Sequence, residues 1–325
     1  MTAATPRRAL ITGVSGQDGS YLAELLCAEG LELHGIVREH ADGDSPNLDA
    51  VRSSLTLHDG DLLERGTLRA VIAAVSPDEI YHLAAPAFVP DSWAATADTL
   101  QAIATVSGEL IDAVRAHAPG ARVVVATSRE IFGAGAPSPQ HEETRCTPSS
   151  PYGVAKLAAH QLVGLLRARD GLQLSSAILF NHESPRRHPQ FLSRKVTAAA
   201  AAISLGRQDE LWLGDLDAVR DWSAARDVVA GLRLMAAAPQ PGDYVLSSGV
   251  GHTVRELVEV AFACVGLEAA HHLRVDPELV RPPEASLAVG DSRRARELLG
   301  WTPQSTFEQL IAEMVAADLA ALQAS

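Results

Sequence analysis

The sequence predicts an α/β fold: a doubly wound parallel sheet with a smaller C-terminal α/β lobe. Over the first half of the chain, apolar β-branched runs such as ARVVVATS alternate with amphipathic helical segments. This alternation is typical of a parallel sheet that carries helices on both faces. It loosens after Phe180. We therefore expect one domain over residues 1–180, to which parts of 213–252 return, and a lobe made mainly of residues 181–325.

The first strand and helix are joined by a glycine-rich turn. The apolar run ALIT is followed by GVSGQDG and then by the amphipathic segment SYLAELLCAEG. Glycines at this place let backbone amides and the helix N-terminus approach a pyrophosphate closely. The sequence therefore predicts a Rossmann-type dinucleotide site, whose first residues are Gly13, Ser15, Gly16, Gln17, Asp18 and Gly19.

The ends of the second and third strands indicate which dinucleotide binds. Arg38 ends the segment LELHGIVR, where an NAD enzyme usually carries an acid, and a cation there suits the 2′-phosphate of NADP. Glu39 follows directly, so NAD remains possible. The third strand runs into Asp61 and Leu62, which we expect beside the adenine; alternatively, Asp61 caps the helix of ERGTLRAVIAAV.

The next two strands complete the predicted cofactor site and begin the reactive one. The segment PDEIYH leads into Leu83, Ala84 and Ala85, of which the alanines are small enough to let a cofactor pass over the sheet edge. The fifth strand, ARVVVATS, ends in hydroxyl residues and is followed by Arg129 and Glu130. The ends of parallel strands are where such folds place their ligands.

Tyr152 and Lys156 lie one turn apart on the helix predicted for SPYGVAKLAAHQLVGLLRA. A tyrosine has an ordinary pKa of about 10. We expect the ammonium group, together with a cofactor cation, to lower the pKa of Tyr152 and favour the phenolate. Such a tyrosine takes a proton from a sugar hydroxyl while hydride leaves the same carbon.

A basic cluster follows the sixth strand. The segment NHESPRRHPQFLSRKV places Arg186, Arg187, Arg194 and Lys195 within ten residues of an otherwise acidic chain. Such a run is often only a solvated surface, but a position beyond the carboxyl end of a strand favours phosphate binding. Lys195 and Lys156 are also the only lysines in the chain, which reflects either chance or a requirement for a compact ammonium at these places.

Composition excludes several other classes of protein. The net charge of −13 over 325 residues argues against a nucleic-acid partner. No apolar run is long enough to span a bilayer, and the first residues run into a strand rather than a signal sequence. The three scattered cysteines fit a reducing cytoplasm, and the histidines form no metal-binding motif. We expect a cytoplasmic protein without a metal site.

Several segments together resemble the extended short-chain dehydrogenases/reductases, the NAD(P)-dependent epimerase/dehydratase family, and within it GDP-mannose 4,6-dehydratase. They are ALITGVSGQDGSYLAELL, GDL, PDEIYHLAA, SPYGVAK, LFNHESPRR, LSRKV, LGDLDAVRDW, GVGHTVRELVE, RPPE and GDSRRARELLGW. The resemblance implies a bound NADP, a GDP-hexose substrate and a reaction that begins with hydride abstraction from carbon 4 of the sugar.

The resemblance also implies roles for individual residues. Tyr152 is the base at the carbon 4 hydroxyl, Lys156 tunes it, Ser128 steadies the hydroxyl and Glu130 takes the proton from carbon 5. The residues expected to contact the substrate are Phe88, Arg129, Asn181, Arg186, Arg187, Lys195, Arg220, Arg281 and Glu284. The family further implies a homodimer through a four-helix bundle of helices 97–117 and 151–169, with a tetramer possible.

Three departures from the family pattern keep alternatives open. Ser128 replaces a threonine, Arg129 replaces a residue that helps water to leave carbon 6, and Pro86-Ala87-Phe88 replaces Gln-Ser-His. A guanidinium cannot deliver a proton to a leaving hydroxyl. A dehydratase is the first hypothesis. A GDP-sugar 4-epimerase, acting on a hexose or a chain-extended sugar, is the second. A 4-ketoreductase and a non-catalytic NADP-binding protein are more remote.

Overall fold

The computed structural model describes residues 6–38, 45–279 and 287–324, and its largest element is a seven-stranded parallel sheet. Numbered in chain order, its strands are β1 (Arg8–Thr12), β2 (Glu32–Val37), β3 (Leu55–Asp59), β4 (Glu79–His82), β5 (Arg122–Ser128), β6 (Leu174–Leu179) and β10 (Asp243–Leu246). Their spatial order is β10-β6-β5-β4-β1-β2-β3. The predicted Rossmann-type, doubly wound fold is confirmed.

Helices cover both faces of this sheet. They are α1 (Gln17–Ala28), α2 (Thr67–Val75), α3 (Asp91–Ala94), α4 (Thr96–Leu100), α5 (Val106–His117), α6 (Pro151–Asp170), α8 (Ala225–Ala237) and α11 (Arg293–Leu299). One apolar cluster joins α1 and α8 to the first face, and a second joins α2, α5 and α6 to the other. Burial of this kind contributes about 25 cal/mol per Å² of apolar surface, and it fixes the strand ends that carry the site.

The strand order reverses between β1 and β4, and the two strand ends are joined by hydrogen bonds. Thr12 Oγ1 accepts from the amides of Leu83 and Ala84, at 3.2 Å each, and lies 2.9 Å from Nδ1 of His82. Such a reversal opens a crevice at the carboxyl ends of the strands, where doubly wound folds bind their ligands. The glycine-rich turn after β1 lies at this crevice.

The second half of the chain also adds smaller elements outside the large sheet. They are β7 (Asn181–Glu183), α7 (Leu192–Ser204), β8 (Leu211–Leu213), β9 (Val219–Ala224), β11 (Gly251–Thr253), α9 (Val254–Ala263), α10 (Ala269–His272), β12 (Leu273–Val275), β13 (Leu287–Ala288) and α12 (Phe307–Ala324). β9 pairs with β7, β11 and β13, and a separate apolar cluster joins α7, α9 and α12. The division of the chain at residue 180 stays a prediction.

Three local expectations are corrected by the structure. A seventh strand, β10, extends the large sheet beyond the six expected, because α8 carries the chain back to pair β10 with β6. Asp61 does not cap α2, which begins at Thr67; its carboxylate instead accepts from the amide of Leu63 at 2.9 Å. The helix predicted near 97–117 contains a π-helical turn, Gln101–Thr105, between α4 and α5.

In the described part of the chain, no helix combines the length and the apolarity that crossing a membrane requires.

Candidate functional site

A cavity of about 740 Å³ opens at the carboxyl ends of the large sheet, between it and the elements that follow β6. Most of the catalytic and substrate residues expected from the sequence line it, and so do both lysines of the chain. The expected residues found in its wall are Asp18, Leu83, Ala85, Phe88, Ser128, Arg129, Glu130, Tyr152, Lys156, Asn181, Arg187, Lys195 and Arg220. Its size and mixed lining are those of a small-molecule site.

The start of α6 places Tyr152 in this cavity. Ser150 caps the helix by accepting from the amide of Gly153 at 3.0 Å, and Pro151 occupies the first turn. A Cβ on Gly153 would lie 2.6 Å from the carbonyl oxygen of Glu130, so glycine is required for α6 to approach the end of β5 this closely. Tyr152 therefore lies directly against the Ser128–Glu130 segment.

Lys156 is buried one turn further along α6. Its Nζ donates to the carbonyl oxygen of Ala126 at 2.7 Å and lies 5.8 Å from the centre of the Tyr152 ring. Burial lowers the pKa of Lys156 to about 8, partly opposed by the carboxylate of Asp18. Lysine at this place is thus close to losing its proton under neutral to mildly alkaline conditions.

The prediction that neighbouring protein groups lower the pKa of Tyr152 is wrong. Burial raises the pKa of Tyr152 to about 12, although its hydrogen bond with Ser128 acts in the opposite direction. The carboxylate of Glu130 raises it further, because a second negative charge nearby disfavours the phenolate. The sequence shows that an ammonium group lies nearby, but it does not show how deeply the phenol is buried. Burial has the larger effect on the pKa of Tyr152.

Ser128, Arg129 and Glu130 form a tight turn where β5 ends. The Ser128 hydroxyl accepts from the amide of Glu130 at 3.3 Å, which starts a short 3₁₀ helix, Arg129–Ile131. The guanidinium of Arg129 is buried and pairs with the carboxylate of Glu130. The base expected for carbon 5 thus already accepts a charge-assisted hydrogen bond within the cavity.

The glycine-rich turn has the shape that a dinucleotide pyrophosphate requires. Gly13 has φ +71°, and a Cβ there would lie 2.9 Å from the backbone of Ala84. α1 begins after Gly16 without a side-chain cap, which leaves its first amides available to an anion. The turn, the uncapped helix start and the small residue opposite therefore fit the pyrophosphate of a dinucleotide such as NADP. Ser15 belongs to the same turn, and its carbonyl accepts from Nδ2 of Asn47 at 3.0 Å.

Replacing Gly19 by alanine tests this geometry. A Cβ at Gly19 would lie 2.2 Å from the carbonyl oxygen of Gly13, so α1 must move away from the turn. We expect the Kd for NADP to rise by at least about tenfold, since a loss of 1.4 kcal/mol is enough for that change. Titration followed by fluorescence or calorimetry measures it. Gly120→Ala is the control, because no atom lies within 4 Å of its added Cβ; equal affinity in both variants would contradict the assignment.

An unexpected ion pair joins this turn to the segment after β6. His182 Nε2 lies 2.9 Å from Oδ2 of Asp18, and His182 Nδ1 lies 2.7 Å from the carbonyl of Phe180. Gln17 adds two more links, since its side chain donates to the His182 carbonyl at 3.1 Å and accepts from Ser184 at 2.8 Å. The carboxylate of Asp18 raises the pKa of His182 against the opposing effect of burial. The side chains of Gln17 and Asp18 therefore hold the cofactor turn against the NHES segment.

Arg186 does not reach the cavity, in contrast to the expectation that it contacts the substrate. It pairs with Glu24, donates to Ser20 Oγ at 3.0 Å and stacks on the ring of Tyr21 at 4.0 Å, all on α1. Arg187, the next residue, does line the cavity. The sequence could not separate the two arginines, because neighbouring residues in a loop often face opposite ways.

The remaining expected residues lie around the cavity or at its edges. The aromatic ring of Phe88 meets that of Phe191 edge-on at 5.5 Å, and Lys195 Nζ donates to the Trp212 carbonyl at 2.8 Å. Arg220 donates to the Val219 carbonyl at 2.9 Å. Asn181 lies on β7 in the cavity wall; Arg38 and Leu62 follow β2 and β3 at the sheet edge. Three residues singled out from the sequence lie outside the described residues: Glu39, Arg281 and Glu284.

A comparison with known proteins identifies the family. The profile described as GDP-mannose 4,6 dehydratase matches residues 10–314. The chain belongs to the GDP-mannose 4,6-dehydratase family. It is 39% identical over 327 residues to GDP-mannose 4,6 dehydratase 1 of Arabidopsis thaliana, covering 97% of this chain and 90% of that one. It is also 39% identical over 341 residues to the GDP-mannose 4,6-dehydratase of Sinorhizobium fredii, covering 97% of each.

A solved structure has a similar fold. RMD of Pseudomonas aeruginosa, determined in complex with NADPH, superimposes with a TM-score of 0.81 at 25% identity, over 97% of this chain and 99% of that one. As a member of the GDP-mannose 4,6-dehydratase family, the chain is an enzyme of the extended short-chain dehydrogenase/reductase class.

Residues 6–38, 45–279 and 287–324 contain no cluster of three or more His, Cys, Asp or Glu that could hold a metal ion.

Proposed function

We propose that this protein is an NADP-dependent GDP-sugar 4,6-dehydratase that converts GDP-mannose, or a close relative of it, to a 4-keto-6-deoxy sugar. The observation that carries the proposal is the placement of Tyr152, Lys156, Ser128 and Glu130 in one cavity, in a chain of this family. Oxidation at carbon 4 requires a base for the hydroxyl proton, which Tyr152 with Lys156 supplies. Elimination across carbons 5 and 6 requires a separate base, which the Glu130 carboxylate supplies.

The cofactor is proposed to lie along the glycine-rich turn, held by the residues from Gly13 to Gly19, with Leu83, Ala84 and Ala85 opposite. Arg38 at the end of β2 favours NADP over NAD, because a guanidinium pairs well with a phosphate. Bound NADP supplies a hydride acceptor at the start of the reaction and a hydride donor at its end, so that none is consumed.

Tyr152 is proposed to take the proton from the hydroxyl on carbon 4. Its hydrogen bond with Ser128 orients the phenol and stabilises the phenolate. Lys156, fixed by the Ala126 carbonyl, keeps a positive charge beneath the ring below about pH 8. Once carbon 4 is a ketone, the proton on carbon 5 becomes acidic, because the negative charge left on carbon 5 is delocalised onto the carbonyl oxygen as an enolate.

Glu130 is proposed to carry out the elimination. Its carboxylate takes the proton from carbon 5, and the resulting carboxylic acid returns that proton to the hydroxyl leaving carbon 6. The C5–H and C6–O bonds break, a C5=C6 double bond forms and one water molecule departs. To give the 4-keto-6-deoxy product, this double bond would then take up a hydride at carbon 6 and a proton from solvent at carbon 5. A single residue is enough for both transfers, so the guanidinium of Arg129 does not need to donate a proton.

Nucleotide recognition is proposed to come from the cations on the opposite wall. Arg187 and Lys195 both line the cavity, as do Asn181 and Arg220. Guanidinium and ammonium groups are the usual partners of phosphate oxygens. We assign Arg187 and Lys195 to the diphosphate, Asn181 to the sugar and Arg220 to the nucleotide end. Phe88 supplies an apolar surface at the sugar.

A product assay tests the proposal. The protein is incubated with GDP-mannose and NADP, and the product is examined by mass spectrometry and NMR. The expected product has lost one water molecule, carries a ketone at carbon 4 and has a methyl group at carbon 6. A set of GDP-sugars that all bind but none of which loses water would contradict the dehydratase assignment.

A GDP-sugar 4-epimerase is a second candidate, and the ion pair of Arg129 with Glu130 favours it. A carboxylate that already accepts from a guanidinium must give up or share that hydrogen bond before it can take a proton from carbon 5. If elimination is slow for this reason, hydride can return to the opposite face of carbon 4 instead. The product would then keep the mass of the substrate.

The Arg129→Ser variant separates the two outcomes. Serine frees the Glu130 carboxylate and leaves a hydroxyl at the middle position of the turn. We expect the ratio of dehydrated to epimerised product to rise by about tenfold, the lower end of the effects that single acid–base groups produce. Arg129→Lys, which keeps the charge, should leave the ratio close to that of the wild type. An unchanged ratio in the serine variant would show that Arg129 does not govern the outcome.

We also infer a cytoplasmic homodimer. The outer face of α6 exposes Leu165 and Val154 to 62% and 47%. The helical segment 96–117, made of α4, the π-helical turn and α5, packs beside this helix. Apolar side chains on long neighbouring helices are suited to a four-helix bundle between two copies. The cysteines Cys27, Cys146 and Cys264 are all free thiols, as in a reducing compartment.

A further inference from the structure

An ion pair with no direct contact to the cavity links the last helix to the substrate side of the site. Asp318 of α12 is almost fully buried, and its Oδ1 lies 2.6 Å from Nη2 and 2.7 Å from Nε of Arg194 on α7. Its other oxygen accepts from Thr197 Oγ1 at 2.7 Å. A buried carboxylate persists as an ion only when it is paired in this way.

The same guanidinium binds the loop that follows β7. Arg194 Nη1 donates to the carbonyl oxygen of Pro185 and, at 3.2 Å, to that of Arg187. One side chain therefore joins α12 to both ends of the short 185–187 turn. Because a planar guanidinium has donors at fixed angles, the position of the carboxylate determines where these two carbonyls can lie.

This turn carries Arg187 into the cavity. The Arg187 guanidinium lies 3.5 Å from the centre of the Phe191 ring, and its Nε is 3.1 Å from Oε2 of Glu183. Glu183 is itself held by Ser193 Oγ at 2.6 Å. The side chain of Arg187 is thus supported on two sides, while its backbone is held by the link from Arg194 to Asp318.

We propose that Asp318 is a positioning residue for substrate binding: through Arg194 it fixes the 185–187 turn, so that Arg187 meets the diphosphate of the GDP-sugar. This inference rests on the proposed function. Asp318 and Arg194 are absent from the cavity wall in the part of the chain that the structure describes, so they act through Arg187. Without its counter-charge, the Arg194 guanidinium turns toward water and releases the two carbonyls.

The Asp318→Asn variant tests the inference with GDP as the probe. Asparagine keeps the shape of the side chain and removes its charge. We expect the Kd for GDP, measured by calorimetry, to rise by about tenfold, with the KM for GDP-mannose rising in parallel. The kcat should stay within about twofold of the wild type, and the Kd for NADP should not change, because Tyr152 and the cofactor turn are untouched.

Two further variants distinguish positioning from general stability. Asp318→Glu retains the charge and should restore most of the GDP affinity. Asp227→Asn is the matched control: Asp227 is also buried and also holds a C-terminal segment, through the amides of Gln304 and Ser305 at 3.0 and 2.9 Å. It should lower the Tm without changing the affinity for GDP. Wild-type GDP affinity in Asp318→Asn, with a Tm lowered as in Asp227→Asn, overturns the inference.

A milder variant keeps the test decisive if Asp318→Asn does not fold. Thr197→Val removes one hydrogen bond to the carboxylate and should raise the Kd for GDP about threefold, a change of under 1 kcal/mol. An unchanged Kd would overturn the inference.

The measurement of GDP binding also separates the two proposals. A wild-type protein that binds GDP but does not convert GDP-mannose contradicts the proposed function alone, whereas an unchanged GDP affinity in the variants contradicts the inference alone.

Discussion

The Tyr152→Phe variant is expected to lose activity by roughly a thousandfold while still binding NADP and GDP-mannose. General acid–base groups of this kind typically contribute 10²–10⁴-fold. The phenol is buried against Ser128 and above Lys156, so phenylalanine fills the same space and removes only the proton acceptor. Every product depends on oxidation at carbon 4, so all of them should disappear together.

The pH dependence of the remaining activity identifies the role of Tyr152. Because the pKa of Tyr152 is raised to about 12, the fraction of phenolate grows as the pH rises. The wild-type rate should therefore rise with pH over the range below this pKa. The residual rate of the phenylalanine variant should not. Tyr244→Phe is the control, since Tyr244 is buried on β10 away from the cavity. A Tyr152→Phe variant with near-normal turnover would remove Tyr152 from the mechanism.

The Glu130→Gln variant is expected to oxidise carbon 4 but to lose water roughly a thousandfold more slowly. An amide cannot take the proton from carbon 5, whereas Tyr152, Lys156 and the cofactor turn are unchanged. In deuterated water the wild type should incorporate deuterium at carbon 5, and the variant should not. NADPH absorbance should persist in the variant, because the 4-keto sugar cannot proceed to the final reduction.

Loss of the ion pair with Arg129 complicates this substitution, so stability is measured in parallel. Glu142→Gln is a suitable control: its carboxylate accepts from the amide of Val245 at 2.8 Å, outside the cavity, and the glutamine oxygen can replace it. Equal rates of water loss in Glu130→Gln and the wild type would show that another group removes the proton from carbon 5.

Much of the site could be predicted from short sequence patterns, because its parts are fixed locally. The turn from Gly13 to Gly19 carries its own glycines, and Tyr152 and Lys156 are placed by one helical turn. Ser128 is the last residue of β5 and Glu130 follows it, at the end of the strand where parallel sheets bind ligands. The scarcity of lysine was also informative, since both Lys156 and Lys195 line the cavity.

The parts that the sequence did not reveal depend on contacts between distant segments. The pair of Asp18 and His182 spans 164 positions, and that of Arg194 and Asp318 spans 124. Neither pair has a local spacing that could indicate it. Arg186 was misplaced for a related reason, because its carboxylate partner lies on α1. Predicting these pairs would have required knowing how α1 and α12 pack against the rest of the chain.

The error in the pKa of Tyr152 has the same origin. A charged neighbour one turn away can be read from the sequence, whereas burial emerges only when α6 packs against the end of β5. Desolvation of the phenol then outweighs the nearby hydrogen bond. The lowered pKa of Lys156 follows from the same burial, so burial moves the pKa values of the two groups in opposite directions, that of Tyr152 upward and that of Lys156 downward.

The fate of a label at carbon 4 tests the central claim most directly. GDP-mannose that carries deuterium at carbon 4 is converted by the protein with unlabelled NADP, and the product is examined by NMR. The account predicts a 4-keto-6-deoxy sugar with the deuterium on carbon 6, because hydride leaves one carbon and returns to the other within one active site. Deuterium back on carbon 4 of a product of unchanged mass, or deuterium released into the NADPH pool, would contradict it.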